Sequence, residues 1–431
     1  MSAVAPSAAT RVDALVIGAG IAGLAAAATL RRAGLDVRVL PNTLRVPGPA
    51  RAAFSDLELE SQLVPAAPAN RLRGVFHDGR IVPFPLGPGS AARTPLVSAK
   101  GKLRILSEPF VRRGDPTDET VAEFIGRRLG AEAVERLVGP FLTGVYGGDE
   151  RRLGAEAVFP SLVEAERRSG SIVRGMFAAR NSAGAAALPG IHSCAGGLGD
   201  LPARLAADLG EAVALGTEVS SIARDGAGLR VETSRGNEAL WSDRVVLAVP
   251  AYVAAGLVRA LDAEASTALA GIEYAPLAVC HLGIDPTRAS EPVEGFGFLV
   301  PRAAGLGLLG CLFLSNLFPG RAPEGRALLT CMIGGVRWPE VVDVPDDVLR
   351  ERLYADLDVT LGPSDPPEIL RTLRWARAVP QPGPDHPRRV AGVEARLADR
   401  GLSVAGSWVR GVSVADTLAS GVAAARGLLQ A

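Results

Sequence analysis

Residues 14–40 read ALVIGAGIAGLAAAATLRRAGLDVRVL, and this stretch decides the fold. Four apolar residues run into Gly18-x-Gly20-x-x-Gly23, a long alanine-rich segment follows, and residues 37–40 restart a β pattern. The spacing predicts a strand, a tight turn, a helix and a second strand, the opening βαβ unit of an α/β, Rossmann-type dinucleotide-binding domain. Gly18 permits the sharp exit from the strand, Gly20 lets the backbone approach a pyrophosphate, and Gly23 lets the helix pack closely on the sheet. The phosphates would then meet the positive end of the helix dipole.

One element of the fingerprint is missing. The second strand of such units ordinarily ends in an acidic residue that binds the adenosine ribose, whereas here it runs Val39, Leu40, Pro41. A hydrogen bond to a charged group contributes about 1.5–3 kcal/mol, and about 1.4 kcal/mol is tenfold in affinity. The omission is therefore expected to weaken a dinucleotide without abolishing its binding.

Composition narrows the classes. With 431 residues the chain exceeds a single core and is expected to divide into two or three units, and 48% hydrophobic against 21% charged residues marks it as globular. Lys plus Arg equal Asp plus Glu at 46 each, so no basic field exists to attract nucleic acid. The four cysteines, Cys194, Cys280, Cys311 and Cys331, form no CxxC pair and mostly sit in apolar runs, which points to a reduced, cytoplasmic setting. The first thirteen residues do not read as a secretory signal, and no run reaches the roughly 18 apolar residues of a spanning helix, so any membrane contact is expected to be peripheral.

Along the chain, residues 41–50 are rich in turn formers, and a short helix is expected over 51–63. VFHDGRIVPFP (75–85), with Asp78-Gly79 between apolar runs, reads as a β-hairpin with a type I′ turn. Residues 94–177 carry a mostly helical period. The segments 217–234 and 244–250 look like a return to the nucleotide-binding sheet. A β-rich block over 272–335 has period-two patterning. The C-terminal 402–429 predicts a strand, a loop whose amides at 412–416 face a ligand, and a helix capped near Asp416.

No side-chain machinery stands out. His77, His192, His281 and His386 share no metal spacing, and no metal site is expected. Ser171 and Ser413 lie outside any G-x-S-x-G elbow, so a hydrolase is not the reading. Lys100, Lys102, Arg112 and Arg113 fit a solvated helical face or a monotopic membrane surface.

Taken together, VIGAGIAGLAAAATL, KLRILSEPFVRRGD with EFIGRRLG and LTGVYGGD, FPSLVEAE with GSI, YAPLAVCHLG, GFGFLVP, LLTCMIGG, VPQPGPDH and AGSWVRGVSVADTLASG resemble the FAD-dependent protoporphyrinogen and coproporphyrinogen oxidases, within the amine-oxidase-type flavoproteins. The resemblance covers most of the chain. It implies FAD as cofactor, with contacts at Gly18, Gly20, Gly23, Val219, Trp375, Gly406, Val412 and Val414, and a tetrapyrrole pocket containing Gly144 and Met332. It also implies an arginine that pairs with a substrate propionate before the Asp-Gly hairpin. Arg73 fits that spacing and Arg71 fits the local Asn-Arg context. The chemistry would be flavin-centred, with hydride passing to the flavin, electrons to oxygen, and no catalytic side chain.

The chain departs from the family by omitting a ribose-binding Glu and the following Gly-Gly hairpin, by Pro380-Gln381-Pro382 where Gln-Tyr is usual, and by Ser407-Trp408 where small or amide residues are usual. The implied domains are a FAD-binding domain (1–70, 190–265 and 366–431), a hairpin plus helical insert on the membrane and substrate side (71–189), and a β-sheet substrate domain (266–365). Two other readings stay open. One is a cofactor-poor homologue that binds a tetrapyrrole or protein partner without turnover, and the other is an FAD oxidoreductase acting on another apolar substrate. Peripheral membrane association on the cytoplasmic face belongs to the first expectation, and oligomeric state, a homodimer included, is left open.

Overall fold

The computed structural model describes residues 10–40, 57–68, 72–175, 191–226, 228–234 and 239–430. The turn-rich 41–50, the first part of the helix expected over 51–63, and Arg71 lie outside them. The chain divides into two units, Met1–Val64 with His192–Glu273 and His386–Ala431, and Pro65–Ile191 with Tyr274–Asp385.

The first unit is built on a four-stranded parallel sheet in the order Leu402–Val404, Val245–Leu247, Ala14–Ile17, Val37–Leu40. Its strands are short and apolar because both faces are covered, which is why residues 14–17 are all buried. Helices Ile21–Arg32 and Val414–Gln430 pack together here, and nine of the twelve positions of the first are buried. Alanine at most of those positions lets the helix lie close to the sheet and to its neighbour on all sides.

Val219–Asp225 does not join this sheet as the sequence suggested. It pairs antiparallel with Gly228–Thr233, which pairs with Leu240–Ser242, in a separate four-stranded sheet. The tight reversal at Gly226 makes a hairpin, and a hairpin can only be antiparallel. Only Val245–Leu247 returns to the nucleotide sheet.

The second unit carries a seven-stranded sheet in the order Glu368–Pro380, Tyr274–Ile284, Ala327–Gly334, Leu308–Phe313, Gly297–Leu299, Arg73–His77, Arg80–Pro83. All neighbours are antiparallel except Gly297–Leu299 with Arg73–His77. The hairpin turns at Asp78 (φ 50°) and Gly79 (φ 78°), the left-handed pair of a type I′ turn. Two expected boundaries move as a result. The hairpin at 73–83 and the strand Glu368–Pro380 belong to the same sheet as the β-rich block, because their backbones are satisfied by Gly297–Leu299 and Tyr274–Ile284 respectively. Of the helix expected over 51–63, the described part is a turn and a 3-10 turn at Glu60–Gln62. Among the described residues no helix is long and apolar enough to cross a membrane.

Candidate active site

The glycine turn in the first unit is shaped by steric need. Gly18 has φ +111°, and a Cβ there would lie 2.3 Å from the Ala248 carbonyl oxygen, so no other residue fits without displacing the neighbouring strand. Its N–H donates to Leu40 O at 2.6 Å, fixing the turn to the second strand. A Cβ on Gly23 would sit 1.8 Å from Gly18 O, so the helix approaches the turn only because Gly23 has none. Gly20 is the N-cap (φ −74°, ψ 177°) with no side-chain cap, and no acidic residue occupies the first helical turn. A helix start left uncapped by side chains and free of negative charge is suited to a phosphate.

Leu402–Val404 runs parallel to Ala14–Ile17 across one intervening strand, so Gly18 and Gly406 both follow the carboxyl ends of sheet strands, the edge where α/β sheets bind ligands. The Gly406 amide donates to Ser420 Oγ at 2.9 Å. Val414 opens the C-terminal helix and is buried. The cap is Ser413, whose hydroxyl accepts from the Asp416 amide at 3.2 Å and also binds the Asp416 carboxylate, so Asp416 is not the capping residue. Val412 lies in the loop between, and Val219 starts the separate antiparallel sheet. Trp408, a departure at the sequence level, is a core side chain. It is 2% exposed, and its indole N–H donates to Val249 O at 3.0 Å. His386 Nε2–H donates to Trp408 O at 2.7 Å, so this histidine is a structural tie at the start of the helix His386–Ala398.

In the second unit a cavity of about 290 Å³ gathers residues from five separate stretches of sequence. Phe84, Phe141, Phe296 and Phe298 supply its aromatic walls. Arg73, Gly144 and Met332 line the same cavity. Arg73 stands at the start of its strand with the guanidinium 5.1 Å from the Phe296 ring centroid, a cation–π arrangement that spreads the fork beside an apolar wall. A Cβ on Gly144 would lie 2.2 Å from Leu299 Cδ2, so the absent side chain sets how near the helix Gly139–Tyr146 comes to the strand Gly297–Leu299. Phe141 and Val145, one turn apart on that helix, are 38% and 41% exposed and give the cavity an apolar mouth. Trp375 lies in the strand Glu368–Pro380, half-buried opposite Leu277, and is not among the lining residues.

The segments KLRILSEPFVRRGD, EFIGRRLG, FPSLVEAE and GSI meet in a buried ion network. Arg128, Glu108 and Glu166 have fully buried side chains. Arg128 Nε donates to Glu108 Oε1 at 2.7 Å, and Arg128 Nη1 stands 3.3 Å from Glu166 Oε1. Burial alone would push the Glu108 carboxyl up. The Ser171 hydroxyl at 2.5 Å, the Arg128 guanidinium and the amides of Ile172 and Val173 outweigh it and hold the group below its ordinary range. Glu166 is likewise raised by burial and lowered further by Arg127, the Gly114 amide and the charge of Arg128, with a net downward shift. Ser171 therefore serves a carboxylate in the interior and is no nucleophile.

Comparison with known proteins places these features. A family model described as flavin containing amine oxidoreductase matches residues 44–429, and an FAD binding domain model matches 13–59. The chain belongs to the flavin containing amine oxidoreductases. It is 32% identical to the chloroplastic protoporphyrinogen oxidase of Nicotiana tabacum over 96% of this chain and 84% of that protein. It is 27% identical to the coproporphyrinogen III oxidase of Bacillus subtilis over 86% and 81%. The crystal structure of a candidate protoporphyrinogen oxidase from Exiguobacterium sp. 255-15 shares the fold, with TM-score 0.80 and 22% identity over 99% of this chain and all of that one.

As a member of this family the protein is an FAD-dependent oxidoreductase. The glycine turn fits the cofactor: its crowded Gly18 and Gly23 would be blocked by any side chain, and its helix start carries no competing acid. The four cavity phenylalanines were not singled out from the sequence. Phe296 and Phe298 stand two apart in GFGFLVP, a period-two signal that puts them on one face, but nothing local shows that this face meets Phe84 and Phe141.

Proposed function

We propose that this protein oxidises a porphyrinogen-type tetrapyrrole. The observation that carries the reading is one cleft in which four phenylalanines and a single guanidinium converge. A reduced tetrapyrrole is broad and apolar with carboxylate side chains on its edge. The rings of Phe84, Phe141, Phe296 and Phe298 take the apolar body, and the Arg73 fork takes a carboxylate through two parallel hydrogen bonds. A volume at the lower end of the ~300–1,000 Å³ usual for ligand sites seats one edge of the macrocycle, with Phe141 and Val145 continuing the apolar surface at the mouth. Bound FAD supplies a two-electron acceptor that oxygen regenerates. The chain's own residues bind and orient the substrate and keep water from it, and none is assigned as acid or base. The relatives named for protoporphyrinogen and coproporphyrinogen oxidation support the same substrate class.

The test is anaerobic addition of reduced coproporphyrinogen III or protoporphyrinogen IX to the FAD-loaded protein. Bleaching of the flavin band, followed by porphyrin fluorescence on admitting oxygen, is expected. A protein that retains FAD and is bleached by neither compound refutes the substrate and leaves an FAD oxidoreductase for another apolar molecule.

The same reading includes a peripheral membrane contact. Leu103, Leu106 and Phe110 are 69%, 74% and 85% exposed around the helix Ala99–Leu106, which also carries Lys100 and Lys102. Apolar side chains flanked by lysines suit an anionic lipid surface. Flotation with phosphatidylglycerol vesicles, lost in Phe110→Asp, is the expected outcome; equal flotation of both proteins refutes the assignment.

A further inference from the structure

The second unit contains another cavity, of about 370 Å³, that the proposed reaction does not use. Three of its eight lining residues are arginines: Arg302 from the turn after Gly297–Leu299, Arg337 from the turn after Ala327–Gly334, and Arg352 from the helix Asp346–Thr360. Two of them are tethered but open. Arg302 Nη2 lies 3.1 Å from Asp149, and Arg352 reaches Asp356 at 3.2 Å and the Gly305 carbonyl at 3.0 Å, yet their side chains remain 40% and 45% exposed.

Arg337 differs. Its Nη2 donates to Thr143 Oγ1 at 2.9 Å and to Val300 O at 2.7 Å, while its buried Nε and Nη1 have no hydrogen-bond partner, and among the described residues no ion pair is formed with it. Burial, and then the Arg302 charge, push the guanidinium down to about 10, against the weaker pull of Glu150. The wall thus holds a guanidinium that among the described residues forms no ion pair, beside two ion-paired guanidiniums that remain partly exposed.

We infer that this cavity binds a small oxyanion, a carboxylate or a phosphate, gripped at the rim by Arg302 and Arg352 and drawn in by the charge of Arg337 in the wall. Guanidinium forks match both oxyanions bidentately. Gly307 sits tightly against this wall, since a Cβ there would lie 3.3 Å from both Asp356 Oδ2 and the Trp338 ring.

Thermal unfolding of the FAD-loaded full chain tests the inference, with sodium phosphate or sodium malonate compared against sodium chloride at equal ionic strength. Saturating anion is expected to raise the midpoint by about 3 °C or more. Arg302→Gln and Arg352→Gln are each expected to weaken the response at least about tenfold, the loss of one charge-assisted bond. Arg168→Gln, in an exposed pair elsewhere, keeps the full response. A response to phosphate alone identifies a phosphate-type ligand, and one to malonate alone a carboxylate. No rise above chloride, or an equal rise in the Arg302 and Arg352 variants, overturns the proposal. Arg337→Met is informative where circular dichroism shows it folded, and the rim variants decide the question where it is not. No porphyrinogen enters the assay, so the substrate reading stands or falls separately.

Discussion

Replacing Arg128 with methionine tests whether the segments that most resemble the family act on the fold or on the chemistry. The guanidinium it removes is fully buried, contacts Glu108 and Glu166, and donates to the carbonyls of Gly170 at 2.9 Å and Val111 at 3.2 Å. Glu166 keeps Arg127 at 2.8 Å. Among the described residues Glu108 keeps the Ser171 hydroxyl and two amides but no counter-ion. Breaking a buried pair from one side costs about 3–5 kcal/mol. At roughly 2–4 °C per kcal/mol for a unit of this size, the unfolding midpoint is expected to fall by about 10 °C in calorimetry of the FAD-loaded protein at neutral pH. The double variant Arg128→Met/Glu108→Gln removes both charges and is expected to recover about 1–3 kcal/mol relative to the sum of the single changes. Flavin content and turnover, measured well below the new midpoint, stay near those of the parent protein. A midpoint that moves by less than about 2 °C, or strict additivity in the double variant, refutes the energetic argument. A folded variant that has lost turnover refutes the structural assignment.

Gly18→Ala introduces a Cβ 2.3 Å from a carbonyl oxygen at φ +111°; the protein is expected to lose its flavin on desalting, and undiminished absorbance after desalting would contradict the role of the turn. Arg73→Ala is expected to raise KM for a carboxylated porphyrinogen about 10–100-fold, the value of one charge-assisted hydrogen bond, with kcat little changed and Arg73→Lys recovering only part; steady-state kinetics with unchanged KM would remove Arg73 from the cleft's function. Glu108 and Glu166 both titrate below the ordinary 4.5 in the folded state, so the stability they contribute is present above about pH 4.5 and is lost as pH falls through their folded values. Urea midpoints between pH 7 and 3.5 are expected to drop steeply only below that point, and a flat profile there would show that the carboxylates are not held as described.

The difference between what could be read along the chain and what could not follows from whether a constraint is local. Gly18, Gly20 and Gly23 answer to atoms a few residues away or on the adjoining strand, so a short word of sequence contains the turn. Asp78-Gly79 is legible for the same reason, since the two left-handed residues are the turn. The cleft is the opposite case. Its wall depends on Gly297–Leu299 pairing in parallel with Arg73–His77, more than two hundred residues apart, and no periodicity states which strands adjoin. Family resemblance points to Gly144, Met332 and either Arg71 or Arg73; Arg73, Gly144 and Met332 line one cavity and Arg71 lies outside the described residues, while the phenylalanines between them emerge only from the fold. Glu108, Arg127, Arg128 and Glu166 were visible as words and not as a network. A charged residue in an amphipathic helix defaults to the surface, and only three-dimensional closure turns Arg128 inward. Arg337 had no signal, because an orphaned guanidinium is defined by partners it lacks in space, and a sequence does not record which neighbours are missing.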